Sequence, residues 1–487
     1  MPGPLGVVGA GTMGAGIAQL GVGSGMRTLL HDPIPEALEK GAEKTRAGLR
    51  KWAERGRDVD ESLLEPVSSL DDLAGCELII EAAPERLDLK RELFGQLSRV
   101  APDAVLASNT SSIPITSIAS AAERPENVVG MHFFNPPPLM KLIEVIAADQ
   151  SGERALQTAR AACEAMGNQV IDAIDGPGFL VNRCGRPYYA EALRLLQERT
   201  ADHEQIDRIC RMAGGFRMGP FELMDLVGID TGFEVSKSFK ELSFGEPRWL
   251  PNPIQARLVA AGRLGRKSGR GYYDYSEKPY RPEDPVPPEP GGGDGRRVLV
   301  RGDGPLAEAL REHAGAAGFE LGGADPWLTL DADPGPGDGR AHAVLCADLP
   351  LAGRAATGFH LTLPLGALVE LTGESSEEVE EFFAALGFAA EWVGDAPGLV
   401  LGRIVCQLVN EAAFAIGEGV GSPDDVDAGL RLGLNHPRGP VEWGSELGIG
   451  YVLAVVDGLY ADRHEDRYRA APLLRRAATL GEWPPPT

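Results

Sequence analysis

Short apolar runs alternate with amphipathic stretches through the first third of the chain, the signature of strands separated by helices. LGVV (5–8) leads into Gly9, Gly11 and Gly14 and then into the small-residue helical stretch AGIAQLGVGSGM (15–26), which reads as strand, turn and helix. A second strand over 28–31 ends at Asp32, 18 residues beyond Gly14. Residues 35–57 have helical character. Further strands are predicted in CELIIEAA (76–83), AVLASN (104–109) and NVVGMHFF (127–134), with helix-like stretches before the second and third of these. This alternation predicts a largely parallel, doubly wound sheet over 1–176. From 177 to about 276 the pattern turns to long helical segments, which predicts an all-helical second domain.

The stretch 277–296 packs six prolines and four glycines into twenty residues and reads as a linker. Beyond it the chain repeats itself. RVLVRGDGPLAEAL (297–310) echoes LGVVGAGTMGAGIA (5–18), and GFHLTLPLGALVEL (358–371) echoes GMHFFNPPPLMKLIEVI (130–146). DAPGLVLGR (395–403) echoes DGPGFLVNR (175–183), and RGPVEW (438–443) echoes MGPFEL (218–223). Four echoes in one order argue for a duplicated ancestor. The offset falls from 293 at the glycines to 220 in the helices, so the second sheet domain is about 70 residues shorter. The predicted organisation is a sheet domain (1–176), a helical domain (177–276), the linker, a shortened sheet domain (297–394) and a second helical domain (395–487).

With 43% hydrophobic and 24% charged residues in 487, the chain has globular composition, which excludes disorder as its main state. Its 47 Lys and Arg stand against 71 Asp and Glu, a net charge of −24 that repels polyanions and argues against nucleic acid or an anionic membrane as a partner. The one basic cluster is the early helix, with Lys40, Lys44, Arg46, Arg50, Lys51, Arg55 and Arg57. No run of eighteen apolar residues occurs and the start lacks a secretory pattern, so a cytoplasmic protein is expected. Six cysteines are scattered without a CxxC pair, which indicates neither a disulfide framework nor a metal site.

Glycine-rich turns are common, so the GxGxxG string weighs little alone. Here it follows a strand, opens a helix and is succeeded at the expected distance by Asp32, the context in which backbone approaches a pyrophosphate and an acid binds the adenosine ribose. That favours NAD over NADP, the alternative being a close helix–strand packing turn. His132 lies at the end of a predicted strand in HFFNPPP, and Glu144 follows twelve residues on, after a proline-rich turn that could bring it back. A histidine held by a carboxylate can take the proton of an alcohol while hydride leaves the same carbon. The alternative for this pair is a buried, backbone-bonded His and a surface Glu. SNTSS (108–112) offers hydroxyls and the amide of Asn109 at a strand end, or simply a helix cap, and Asn182 in GPGFLVNR sits where a structural Asn is the default.

Taken together, GAGTMG, EAAPERLDLK, ASNTSS, MHFFNPPPLMKLIEVI, DGPGFLVNR, MGPFELMDLVGIDT and GRLGRKSGRGYYDY resemble, in order and spacing from residue 5 to about 275, the NAD-dependent L-3-hydroxyacyl-CoA dehydrogenases. The longer layout is similar to the bacterial 3-hydroxybutyryl-CoA and 3-hydroxyadipyl-CoA dehydrogenases, the latter serving phenylacetate degradation, and RPYYAEALRLLQE (186–198) leans toward that subgroup. The resemblance implies a Rossmann-type α/β NAD domain plus an all-α domain, followed by a degenerate repeat of both. It implies that His132 is the catalytic base, Glu144 its orienting carboxylate, and Ser111 and Asn182 the groups bonding the substrate hydroxyl or thioester oxygen. Gly9, Gly11, Thr12, Met13, Gly14, Asp32 and Asn109 fall at the cofactor, with Asn135 near the nicotinamide and Glu85 and Lys90 beside its ribose. Arg50, Lys51 and Arg55 are implied contacts of an acyl-CoA substrate, or else a solvated helix face.

The second copy keeps His360 for His132 and Glu370 for Glu144 after a two-residue gap. It has no Asn at the Asn135 position, Gly402 for Asn182, Ala307 for Gly14, and no evident counterpart of Asp32 or SNTSS. A catalytically dead repeat without NAD is expected. Because the family's helical domain makes its subunit contact, two such domains in one chain are expected to pack as an internal pseudo-dimer. A dehydrogenase of a free hydroxy or sugar acid, and a non-catalytic NAD-binding protein, remain open alternatives.

Overall fold

The computed structural model describes residues 3–484. The chain gathers into two compact units. One joins the chain up to Arg183 with Gly419–Leu434, and the other joins Cys184–Glu418 with the chain from Asn435 onward.

In the first unit eight strands, β1 (Leu5–Val8), β2 (Thr28–His31), β3 (Leu64–Val67), β4 (Leu78–Glu81), β5 (Val105–Ser108), β6 (Val128–Phe133), β7 (Leu142–Ala147) and β8 (Gln169–Ile174), lie in the order β3-β2-β1-β4-β5-β6-β7-β8. All neighbours are parallel except β6 and β7. The order reverses beside β1, and a ligand crevice is expected at the carboxyl ends of strands at such a point. The central strands β1, β2, β4 and β5 are buried throughout, as a parallel sheet covered on both faces requires. Helices α1 (Thr12–Gly23) and α2 (Pro35–Glu54) pack on one another; a Cβ on Gly23 would meet the Trp52 ring at 2.3 Å, so the close approach depends on glycine. Sequence patterning had not singled out β3, β7 or β8. In β8 an exposed, polar edge replaces the continuous apolar run expected of a central strand.

The returning segment 419–434 carries the helix Pro423–Gly433, started by a capping box of Ser422 and Asp425. Its Gly429 lies against Ile171 and Val181, and its Gly433 against Leu142, Val181 and Phe134. Ile174 N donates to Val420 O at 3.1 Å.

The second unit repeats the architecture one strand short. Strands β9 (Arg297–Arg301), β10 (Glu320–Leu321), β11 (Leu328–Asp331), β12 (Ala343–Leu345), β13 (Thr357–His360), β14 (Leu368–Gly373) and β15 (Ala389–Trp392) form the order β10-β9-β11-β12-β13-β14-β15, with β13 and β14 again the antiparallel pair. The helix Leu401–Gly417 is buried on every side from Leu401 to Ile416, so it is the central rod of the helical region rather than an amphipathic surface helix. It packs on Arg186–Glu198, where Arg403, fully buried, is held by Glu191 at 2.9 Å, Glu198 at 2.7 Å and the Tyr468 hydroxyl at 2.6 Å. The helix His203–Met212 lies against β14, and Gly394 N donates to Thr200 O at 2.6 Å. The Pro/Gly-rich stretch after 276 contains no helix or strand, yet it is not a free tether. Its Tyr280 and Arg281 bind Glu222 at 2.8 and 3.0 Å, and its Asp284 accepts from Arg211 at 2.5 Å.

Candidate active site

His132 and Glu144 face each other across the only antiparallel pair of the first sheet, directly opposite in the register. The proline-rich turn reverses the chain between β6 and β7, so a twelve-residue separation becomes a cross-strand pair. Nδ1 of His132 lies 2.5 Å from Oε2 of Glu144, with Glu144 fully buried and His132 6% exposed. The other carboxylate oxygen accepts from the backbone N–H groups of Leu180 at 3.2 Å and Val181 at 2.9 Å. Glu144 therefore fixes the imidazole and the start of the short helix Val181–Cys184, which carries Asn182, in a single step. Phe134 and Phe179 flank the ring at 4.6 and 5.9 Å. Nε2 has no protein partner among the described residues and is the nitrogen left to act on a ligand.

The rim of the site is held by two further carboxylates, of which the sequence reading had selected one. Glu81, at the end of β4 and fully buried, accepts from Ala83 N at 2.6 Å, Lys90 Nζ at 2.7 Å and the Ser108 hydroxyl at 2.6 Å. Glu85 gathers the following loop: one of its oxygens accepts from the Thr110 hydroxyl at 2.6 Å, from Ser111 N and Ser112 N at 3.1 Å, and from the Ser112 hydroxyl at 2.9 Å. Burial alone would raise the Glu85 carboxyl, but the Lys90 charge and these donors hold it below its ordinary value. Lys90, expected beside a cofactor ribose, is itself buried and committed to Glu81 and Glu85, so it acts on the loop at one remove. Asn109 ties β5 to β6 by accepting from Phe133 N at 2.9 Å, next to His132. Asn135 stands exposed at the start of the turn, and Ser111 and Asn182 are half-buried.

At the glycine turn, Gly9 has φ +102° and donates to His31 O at 2.8 Å, and Ala10 N donates to Asp32 at 2.9 Å. A Cβ on Gly14 would fall 1.7 Å from Gly9 O, whereas one on Gly11 would meet nothing within 4 Å. The two glycines thus serve different ends: Gly14 lets helix and strand touch, and Gly11 keeps open a space that a ligand can use. Thr12 is exposed, accepts from Lys44 Nζ at 3.1 Å, and is followed by the half-buried Met13. With Asp32 at the end of β2, this set fits a dinucleotide on the helix N-terminus. Gly14→Ala is expected to destabilise the fold by about 1–3 kcal/mol or more. Gly11→Ala is expected to leave Tm within about a degree and to weaken NAD binding about tenfold. Thermal unfolding and fluorescence titration with NADH check the pair, and equal Tm losses would remove the distinction.

Lys51 and Arg55 of α2, together with Lys44, line a cavity of about 400 Å³ whose opposite wall includes Gln19 and Pro136–Pro138. Arg50 is not in that lining: two helical turns from Glu43 on one stripe, it pairs with that residue at 2.5 Å and with Glu61 at 3.8 Å. Lys44 belongs to the basic cluster, but spacing alone does not show which face of the helix looks toward the turn.

In the second unit, His360 and Glu370 are again opposite in the register, and Glu370 accepts from Val400 N at 2.7 Å and Leu401 N at 3.1 Å. The strand pairing is kept, but Glu370 stands 3.5 Å from an unpartnered Nδ1 of His360, and the outlet at Nε2 is filled. Nε2 of His360 bonds the Tyr451 hydroxyl at 2.9 Å, and a Cβ on Gly402 would lie 2.2 Å from that nitrogen. At the second glycine turn, Asp333 accepts from Asp303 N at 2.7 Å and Gly304 N at 3.0 Å, placing a protein carboxylate on the amides of the turn. Neither Tyr451 nor Asp333 has a counterpart at the matching place in the first copy, so the echoes could not reveal them.

The 3-hydroxyacyl-CoA dehydrogenase NAD-binding domain matches residues 4–176, and the C-terminal domain of the same family matches 178–275 and 398–485. The chain is 36% identical to 3-hydroxyadipyl-CoA dehydrogenase of Escherichia coli K12, over 97% of both chains. It is 40% identical to 3-hydroxybutyryl-CoA dehydrogenase of Mycobacterium tuberculosis, over 56% of this chain and 98% of that one. The crystal structure of a 3-hydroxybutyryl-CoA dehydrogenase from Escherichia coli K12 superposes with a TM-score of 0.81 at 33% identity, covering 99% of each chain. A Rossmann-type sheet with its glycine turn, a buried His–Glu pair on its one antiparallel strand pair, and this similarity from end to end place the chain in the NAD-dependent 3-hydroxyacyl-CoA dehydrogenase family.

Proposed function

We propose that the protein oxidises the 3-hydroxyl of an L-3-hydroxyacyl-CoA to the ketone, reversibly, with NAD. The observation that carries this reading is the imidazole pinned through Nδ1 by a buried carboxylate with Nε2 left over. NAD supplies the hydride acceptor when bound. Nε2 of neutral His132 takes the hydroxyl proton as the carbon is oxidised and returns it in reverse, while Glu144 fixes the tautomer and stabilises the imidazolium. Ser111 and Asn182 are assigned to the substrate hydroxyl and thioester oxygen, and Asn135 to the neighbourhood of the nicotinamide. Glu85 is assigned to its ribose, with Lys90 supporting it from behind. Lys51 and Arg55, joined by Lys44, supply local positive charge for the phosphates of CoA in an otherwise acidic protein. Comparing a 3-hydroxyacyl-CoA with the free hydroxy acid tests the assignment: NADH formation with the thioester alone is expected, and equal rates on both would overturn the CoA reading.

Asp32 is assigned to the adenosine ribose hydroxyls and to rejection of a 2′-phosphate. Asp32→Ser is expected to lower the NAD over NADP ratio of kcat/KM by about tenfold or more, the scale of a charged hydrogen bond. An unchanged ratio would reassign Asp32 to holding Ala10 N and Ile34 N alone.

We also read the second half as a duplicated, catalytically silent copy that takes no NAD, supported by Tyr451 on Nε2 of His360 and by Asp333 on the glycine turn. An internal pseudo-dimer is supported by a reciprocal pair of bonds, Ile174 N to Val420 O and Gly394 N to Thr200 O, related by the same offset of 220. Each copy lends a helix to the other's sheet, and apolar burial on both sides drives the exchange. Similarity along the whole chain to a 3-hydroxyadipyl-CoA dehydrogenase supports a place in fatty-acid or phenylacetate-type β-oxidation. Six unpaired buried thiols support a cytoplasmic setting.

A further inference from the structure

Within the second unit, a cavity of about 400 Å³ opens between the helix Arg186–Glu198, the helix Ile229–Leu242 and the loop around Asp466. Its walls are mostly apolar, with Tyr189, Leu193, Trp249 and Leu250 among them. The charged groups in the wall are unequal. Arg194 is paired with Glu465 and Glu198, and Arg467 reaches Glu191 at 3.4 Å. Asp466 is exposed at the rim. Arg186 alone has no carboxylate within ion-pair distance among the described residues. Its guanidinium lies over the Phe239 ring at 4.8 Å and near Tyr189 at 5.9 Å, and its one hydrogen bond runs from Nη1 to the Ser236 hydroxyl at a long 3.4 Å. Its Nε is buried without any partner. Desolvation without a counter-charge pushes the guanidinium below its ordinary pKa, so the fold bears a cost at this position that no carboxylate offsets.

We propose that this cavity is a carboxylate-binding site in which Arg186 receives the terminal carboxylate of an aliphatic chain. With Nη1 turned to Ser236 and Nε buried, Nη2 is the nitrogen left to donate a charge-assisted hydrogen bond to a carboxylate. The apolar wall suits a methylene chain, and the volume lies in the range of small-ligand sites. Arg186 follows Asn182 by four residues in the sequence. Two sources of such a carboxylate are compatible with the site: the far end of a dicarboxylic 3-hydroxyacyl-CoA, which rests on the dehydrogenase reading above, or a free carboxylate, which does not.

Adipate is the probe, followed by calorimetry on the full-length protein, with 1-hexanol as the uncharged control. Saturable adipate binding is expected in the wild type, weaker by about tenfold or more in Arg186→Gln, partly restored in Arg186→Lys, and lost in Ala190→Trp, which fills the cavity without touching the charge. Six-carbon dicarboxylic and monocarboxylic 3-hydroxyacyl-CoA substrates are then compared in wild type and Arg186→Gln. A fall of about tenfold in the ratio of their kcat/KM values identifies the far end of the substrate as the ligand. Loss of adipate binding with that ratio unchanged identifies a free carboxylate. No saturable binding to the wild type, or equal binding to wild type, Arg186→Gln and Ala190→Trp, overturns the site. Because calorimetry needs no turnover, failure of the site and failure of the catalytic reading are told apart.

Discussion

Replacing His132 with Gln is expected to lower kcat for oxidation of a 3-hydroxyacyl-CoA by about 10³-fold, within the range for loss of a positioned general base. NAD affinity should stay within about threefold, since the ring belongs to β6 and the glycine turn to β1 and α1. The size of the effect follows from how completely the ring is constrained. Glu144 occupies Nδ1, Phe134 and Phe179 flank the ring, and His132 is 6% exposed, so water has little access to the position of Nε2, and a Gln amide that reaches it has no basic nitrogen to take the proton. Following NADH absorbance in both directions, with circular dichroism to confirm the fold, checks the result. A loss smaller than tenfold would assign the proton to another group.

The parts of this site that could be read from the sequence are those whose chemistry is local. A glycine turn between a strand and a helix, with an acid at the end of the next strand, leaves a complete record within thirty residues, so Gly9, Gly14 and Asp32 could be placed without coordinates. The pairing of His132 with Glu144 could be guessed from spacing, but its basis could not: β7 went unrecognised, and only the antiparallel register puts the two side chains opposite each other. Glu81 escaped notice because a carboxylate inside an apolar strand counts as an interruption until its partners, Lys90 and Ser108, are brought to it by separate elements. The exchange of the helix Pro423–Gly433 onto the first sheet was out of reach for the same reason. A repeat in sequence argues for two copies, but which sheet each helix covers depends on long-range packing that leaves no local pattern.

The second unit supplies an internal control for the second large effect, because Glu144 and Glu370 both hold the start of a helix, while only Glu144 hydrogen-bonds its histidine, Glu370 standing 3.5 Å from an unpartnered Nδ1 of His360. Each accepts two backbone N–H groups at the start of a helix and faces a histidine across an antiparallel pair. Truncation to Ala at either position strands two buried donors, which should cost about 3–5 kcal/mol in either case. Activity per folded molecule should separate them. Glu144→Gln keeps the shape, but if its amide oxygen serves Leu180 and Val181, its NH₂ group meets Nδ1. That favours the tautomer with the proton on Nε2, where the base must be bare, so kcat should fall by about 10²–10⁴. Glu370→Gln places the same amide beside His360, whose Nε2 is already bonded to Tyr451, and turnover should be unchanged while Tm falls. Urea unfolding and steady-state rates on both variants decide the matter. If Glu370→Gln reduced kcat as much as Glu144→Gln, the second copy could not be the silent one, and both carboxylates would have to be read as parts of a single coupled fold.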